Sequence, residues 1–96
     1  MEITYDAAKD AVNVAKHGVP LALAAELEWD SALVWPDTRQ HYGESRQSAL
    51  ALLGARVYFV AFVDRAEGKE TRRRIISLRK ANDREKIRYE KVFDAT

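Results

Sequence analysis

Arg74–Tyr89 reads RIISLRKANDREKIRY, a stretch that passes from strand to helix. Strand alternation puts Ile76 and Leu78 on one side with Arg74, and Ile75, Ser77 and Arg79 on the other. Ile76 and Leu78 are therefore expected in the core, opposite a partly polar face. Ser77 has no neighbouring base and reads as structural. Asn82 with Glu85 three residues later forms a capping box in which Asn replaces the usual Ser or Thr, so a final helix opens there and runs to about Phe93. Arg79 and Lys80 fall at the junction, where free N–H groups and the positive end of a helix dipole favour an anion. The competing role for these cations is surface pairing with Glu85 or Glu44, which adds little stability.

Working outward, Arg46–Leu53, Arg56–Val63 and Thr71–Arg79 read as three successive antiparallel strands, with turns at Gly54-Ala55 and across Ala66–Lys69. Val57–Val63 is apolar on both faces and is expected at the sheet centre. Ala32–Trp35 is rich in strand formers and stops at Pro36, and the polar stretch Asp37–Gly43 follows as an exposed connection. Ile3-Thr4-Tyr5 suits a short strand. Asp6 caps a helix over Ala7–Lys16 with Ala8, Ala11, Val12 and Ala15 on one side, and Gly18 ends it. Pro20 suits the first turn of a second helix with Leu23, Ala24 and Leu27 on its apolar face. The expected class is α+β, in the order β-α-α-β-β-β-β-α, with a mainly antiparallel sheet packed against helices.

At 96 residues, 47% hydrophobic and 32% charged, the chain fits one globular domain spanning 1–96, with a modest core and a shallow site. The absence of cysteine excludes disulfides, zinc-thiolate sites and thiol nucleophiles. The two histidines, His17 and His41, are far apart in sequence. No apolar run suits a membrane span and the start has no signal-peptide pattern, so a cytoplasmic location is expected. A formal charge of +1 hides an asymmetry: residues 1–45 hold three basic and eight acidic side chains, and residues 71–91 hold nine basic and three acidic. The basic end is suited to phosphates and the acidic end repels them.

Arg74-Ile75-Ile76-Ser77, Arg79-Lys80-Ala81 and Arg84-Glu85 with Tyr89 closely resemble the carboxy-terminal signature of the BrnT family of ribonuclease toxins. Asn13 with Lys16-His17-Gly18-Val19 is similar to that family's amino-terminal motif, and Gly43-Glu44-Ser45-Arg46 to its central one, in matching order. The resemblance covers nearly the whole chain. Tyr5-Asp6 departs from a common Trp-Asp pair, and Asp64-Arg65 follows a strand that in relatives often ends in Thr or Tyr before Arg. The resemblance implies a RelE-like fold and metal-independent RNA cleavage without any cofactor, with inhibition of translation and growth. It also implies neutralisation in a hetero-oligomer with a BrnA-like, ribbon-helix-helix antitoxin, through which the complex binds operator DNA.

Metal-free RNA cleavage needs a base for the 2′-hydroxyl, cations at the phosphate and an acid for the leaving oxygen. Arg46, Arg65 and Arg79 lie at the start or end of neighbouring strands, so in an antiparallel meander the ends of two can meet on one edge, and guanidinium forks suit phosphate; the catalytic reading needs Glu44, Arg46 and Arg65 to converge with Arg79 on that edge. Glu44, close to Arg46, is the first candidate base, with a surface salt bridge as its alternative. His17 is the second, with helix-dipole complementation as its alternative. Lys80 is the candidate acid. Arg74 and Arg84 are candidate RNA contacts, and Tyr89 is either a base-stacking platform or a core residue. Trp29 and Trp35 read as core or partner contacts. The competing function is a non-catalytic nucleic-acid-binding module acting through a protein partner, in which the same arginines track phosphates without turnover. A purely structural subunit would neither bind nor cleave RNA.

Overall fold

A computed structural model describes residues 1–39 and 43–94; His41 lies outside them. The chain runs β1 (Glu2–Tyr5), α1 (Ala7–His17), two 3-10 segments (Leu21–Glu26 and Trp29–Ser31), β2 (Leu33–Pro36), β3 (Gln47–Leu53), β4 (Arg56–Glu67), β5 (Glu70–Lys80) and α2 (Asp83–Asp94). The class is α+β. Val57–Val63 is buried throughout and lies in β4, the central strand of a sheet ordered β1-β5-β4-β3-β2. A strand apolar on both faces needs cover on both sides, and here it has it. β2, β3, β4 and β5 pair antiparallel, whereas β1 returns alongside β5 in parallel, from Glu2 opposite Arg72 to Tyr5 opposite Ile75. Gly54 and Gly68 hold positive φ of 61° and 62° in the two hairpin turns, the conformation tight hairpins demand. β4 and β5 extend to Glu67 and Glu70, so the second turn is shorter than the sequence suggests.

The expected second α-helix is instead a pair of 3-10 turns. Leu21, Ala24 and Leu27 recur every three residues and are all buried. That spacing forms one stripe at three residues per turn, so the tighter helix buries what an α-helix would splay. The Asp6 carboxylate caps α1, accepting from the N–H groups of Ala8 at 2.8 Å and Lys9 at 3.0 Å. These bonds hold it below its ordinary pKa. The expected apolar side of α1 is exposed, with Val12 65% accessible, and the buried residue of this helix is Asn13.

Asn13 explains how α1 docks. Its Nδ2 donates to the carbonyls of Val19 at 2.7 Å and Leu78 at 2.8 Å, and its Oδ1 accepts from Leu78 N–H at 3.1 Å. β1 pairs with β5 only as far as Ile75, so the Asn13 amide takes the place of a strand residue beside Leu78. An edge that would leave buried N–H and C=O groups unmatched is thereby closed.

The register of β5 against β4 slips between Ala61, opposite Ser77, and Phe62, opposite Ile75. Ile76 has no partner on β4, and the alternation inverts across it. Ile75 and Leu78 consequently share one fully buried face, and Ile76 is only half-buried on the other, correcting the expected Ile76–Leu78 pair. The first face packs Val60, Phe62, Ile75 and Leu78 under the 3-10 segments, with Trp29 edge-on to Phe62 at 5.3 Å. The second face carries Leu50, Phe59 and Ala61 with Tyr89 of α2. No helix among the described residues is long and apolar enough to cross a membrane.

Candidate functional site

The end of β5 and the start of α2 are joined by one carboxylate. Asn82 and Glu85 cap each other: Glu85 N–H donates to Asn82 Oδ1, and Asn82 N–H to Glu85 Oε1, both at 2.9 Å. Glu85 also takes a bidentate pair from Arg79, at 2.7 Å from Nη1 and 3.0 Å from Nη2. Burial by itself would raise the Glu85 carboxyl, but the Arg79 and Asn82 hydrogen bonds and the Arg79 and Arg88 charges outweigh it and hold the pKa below its ordinary value. The Arg79 guanidinium carbon sits over the Phe59 ring, 4.3 Å from its centroid. The sheet face and the helix start together fix this guanidinium.

Arg79 and Glu85 line a groove of about 300 Å³ together with Trp35, Ser48 and Phe59 of the sheet and with Asp37 and Arg39. The Asp37 carboxylate is buried and holds Arg39 through two hydrogen bonds of 2.9 Å. Trp35 sits 6.2 Å from Phe59, and the Arg88 guanidinium covers the Trp35 ring at 4.2 Å. Tyr89 is buried: its hydroxyl donates to the Ser31 carbonyl at 3.2 Å and its ring packs 4.6 Å from Phe93. This arrangement anchors α2 and does not present Tyr89 as a stacking platform.

His17 occupies the carboxyl end of α1. With Lys9, Val12, Lys16, Ile76 and Ser77 it lines a second depression of about 380 Å³ between α1 and β5. Burial, then the charges of Lys16 and Arg79, lower its pKa below the ordinary histidine value. Lys80 is exposed at the end of β5, and Arg84 is exposed on the first turn of α2.

Glu44 and Arg65 stand elsewhere. Their side chains meet at 2.9 Å on an exposed surface, and Arg46 directly precedes Gln47, which faces Phe62. Arg79 faces Phe59, six residues before Arg65 on β4, so about 20 Å of sheet separates Arg79 from Arg65. The expectation that Arg46, Arg65 and Arg79 meet at one edge is thus corrected: β4 is long, and a paired position at one end of it cannot reach the other. Arg74, half-buried, faces Val63 toward the Arg65 end, and its charge contributes to lowering the pKa of Asp6.

Sequence reasoning missed two arginines. Arg73 lies against the Trp29–Phe62 pair, 4.5 and 4.2 Å from their centroids, and pairs bidentately with Asp64 at 2.7 and 2.8 Å. Arg88 covers Trp35. No signal along the chain marks either, because the aromatic partners come from distant elements. Among the described residues, no group of three or more His, Asp or Glu side chains is arranged to hold a metal ion.

Fold and site define a small α+β protein with a groove lined by arginine and aromatic side chains, Arg39 and Arg79 with Trp35 and Phe59. Residues 5–85 match the family described as the ribonuclease toxin, BrnT, of type II toxin-antitoxin systems, and the chain belongs to that family. No curated protein matches the chain.

Proposed function

We propose that residues 1–96 act as one RelE-like toxin domain, a metal-independent endoribonuclease that arrests translation and growth in the cytoplasm. The observation that carries this reading is the Arg79 groove in a chain of the BrnT ribonuclease toxin family. In the proposed reaction the 2′-oxygen bonds to phosphorus as the bond to the 5′-oxygen breaks, leaving a 2′,3′-cyclic phosphate and a 5′-hydroxyl. A base removes the 2′-proton and an acid supplies one to the departing oxygen.

Of the two candidate bases, His17 is the better supported. Its lowered pKa keeps it neutral at pH 7, and it stands near enough to Arg79 for that charge to be felt. Arg79 then stabilises the phosphate, and exposed Lys80 beside it is the acid. Glu44 is committed to Arg65 toward the other end of β4, where the carboxylate offsets the cation, so we leave that pair, with Arg46 and Arg74 at the same end, out of the reaction and assign exposed Arg84, at the start of α2, to holding the flanking RNA. A BrnA-like ribbon-helix-helix antitoxin neutralises the toxin in a hetero-oligomer and carries the complex to operator DNA.

Incubating the purified protein with RNA in excess chelator tests the reaction. Cyclic-phosphate ends that accumulate beyond the amount of protein are expected; loss of cleavage that magnesium restores would overturn metal independence. Arg79→Ala is expected to abolish growth arrest, and arrest by a folded variant would remove Arg79 from the site.

A further inference from the structure

Arginines elsewhere on this surface are mostly occupied. Arg65 pairs with Glu44, Arg72 with Glu67 and Glu2, Arg73 with Asp64, and Arg79 with Glu85. Arg88 differs. It is exposed, is held over the Trp35 ring with its guanidinium carbon 4.2 Å from the centroid, and among the described residues makes no hydrogen bond or ion pair. A guanidinium held over a ring by cation–π attraction keeps N–H donors available for a second partner, and Arg is weakly hydrated enough to give up water there.

We propose that Arg88, stacked on Trp35, is a phosphate-anchoring subsite for single-stranded RNA at the groove beside Arg79, with the guanidinium plane also flanking a nucleobase. A phosphate reaching Arg79 must compete with the Glu85 carboxylate, which already takes two of its donors. Arg88 feels the Glu85 charge too, but among the described residues no carboxylate is hydrogen-bonded to it, so there a phosphate has no such bond to break. The Arg79–Phe59 and Arg88–Trp35 stacks stand side by side, their rings 6.2 Å apart, so a strand held at one passes the other. Planar cations interleaved with aromatic rings suit unstacked bases, which can stack on either kind of surface. This subsite rests on the ribonuclease reading and adds a binding residue to it.

The test measures anisotropy of a short fluorescein-labelled 2′-O-methyl oligouridylate, which binds but cannot be cleaved, across a potassium chloride series. Arg88→Ala is expected to raise Kd roughly tenfold and to reduce the slope of log K against log salt by about 0.7, one single-strand phosphate contact. Arg88→Lys is expected to keep the slope yet bind more weakly than the parent, because it loses the stacked plane. Lys69→Ala, in the turn far from the groove, matches the charge loss and is expected to leave Kd unchanged. On cleavable RNA, Arg88→Ala is expected to raise KM with kcat retained.

A folded Arg88→Ala variant with parental affinity and slope, while the parent cleaves RNA, overturns the subsite alone and leaves Arg88 as a helix fastener or a protein contact. If Arg88→Ala does not fold, Arg88→Lys with parental affinity overturns it equally. A parent protein that neither binds nor cleaves RNA overturns both readings.

Discussion

Replacing Asn13 with Ala removes three hydrogen bonds at once, and their geometry sets the cost. The amide accepts from Leu78 N–H and donates to the carbonyls of Leu78 and Val19, all in buried surroundings. An orphaned buried donor costs about 1–3 kcal/mol, and carbonyls tolerate loss of a partner better than N–H groups do. A total near 3 kcal/mol follows, a large part of the roughly 5–15 kcal/mol that holds a protein of this size together. In thermal unfolding that corresponds to a Tm lower by roughly 12–24 °C. Asn13→Asp sharpens the test. A carboxylate still accepts from Leu78 N–H, but it sets a negative charge against two carbonyl oxygens. Only its protonated form can donate to one of them. Its deficit relative to the parent is therefore expected to shrink as pH falls, the reverse of an ordinary surface carboxylate. Urea unfolding of the parent and both variants between pH 7 and 4 reads these effects. An Asn13→Ala cost below about 0.5 kcal/mol, or an Asn13→Asp deficit that grows on acidification, would refute the edge-closing role of this side chain.

Glu85→Gln should remove a pH dependence. The folded-state pKa of Glu85 is depressed, so its contribution is complete above the ordinary carboxylate value of about 4.3 and is lost as pH falls through the folded value; Tm profiles of parent and variant should converge in acid. His17 also has a depressed folded pKa, so the folded protein binds fewer protons there. Stability should be full above about pH 6.5 and decline as pH falls through the folded value, an imidazole NMR titration placing the midpoint below 6.5, and Arg79→Ala should move that midpoint upward. Arg73→Met should cost about 1–2 kcal/mol in urea unfolding by losing both ring contacts and leaving Asp64 without its Arg73 partner, while a folded sample still cleaves RNA; an unchanged midpoint would deny the Arg73 contacts any structural weight.

What the chain discloses by itself depends on whether the physics is local. The β3–β4–β5 meander was legible because hairpin turns and apolar strands signal within a few residues of one another, and so was the Asn82–Glu85 capping box. The bulge at Ile76 was not, because a one-residue slip is decided by how β5 meets β4 and leaves alternation in the sequence looking intact. The 3-10 turns were within reach, since Leu21, Ala24 and Leu27 repeat at three rather than at three and four. Asn13 carried a motif without its reason, as its partner Leu78 lies sixty-five residues away. In the site, Arg79 was found by its junction position, whereas Arg88 was hidden because Trp35, the ring that gives it meaning, belongs to a different strand.

The charge asymmetry looks different once pairing is known. Of the cations in the basic segment, Arg72, Arg73, Arg79 and Lys86 face carboxylates, so much of its formal excess is spent inside the protein. Near the β4–β5 turn, Arg65, Arg72 and Arg73 are all paired, and a polyanion arriving there would meet Glu44, Glu67 and Asp64 beside each of them. At the other end, Lys80, Arg84 and Arg88 make no ion pair among the described residues and lie around the junction of β5 and α2. Field strength at an exposed surface depends on such uncompensated charges within a Debye length of about 8–10 Å, not on the count along a segment. The cations without an ion pair among the described residues therefore gather at the β5–α2 junction, where Arg79 and the aromatic groove already are. This favours the His17–Arg79 end over the Glu44–Arg65 end as the place where RNA is cut.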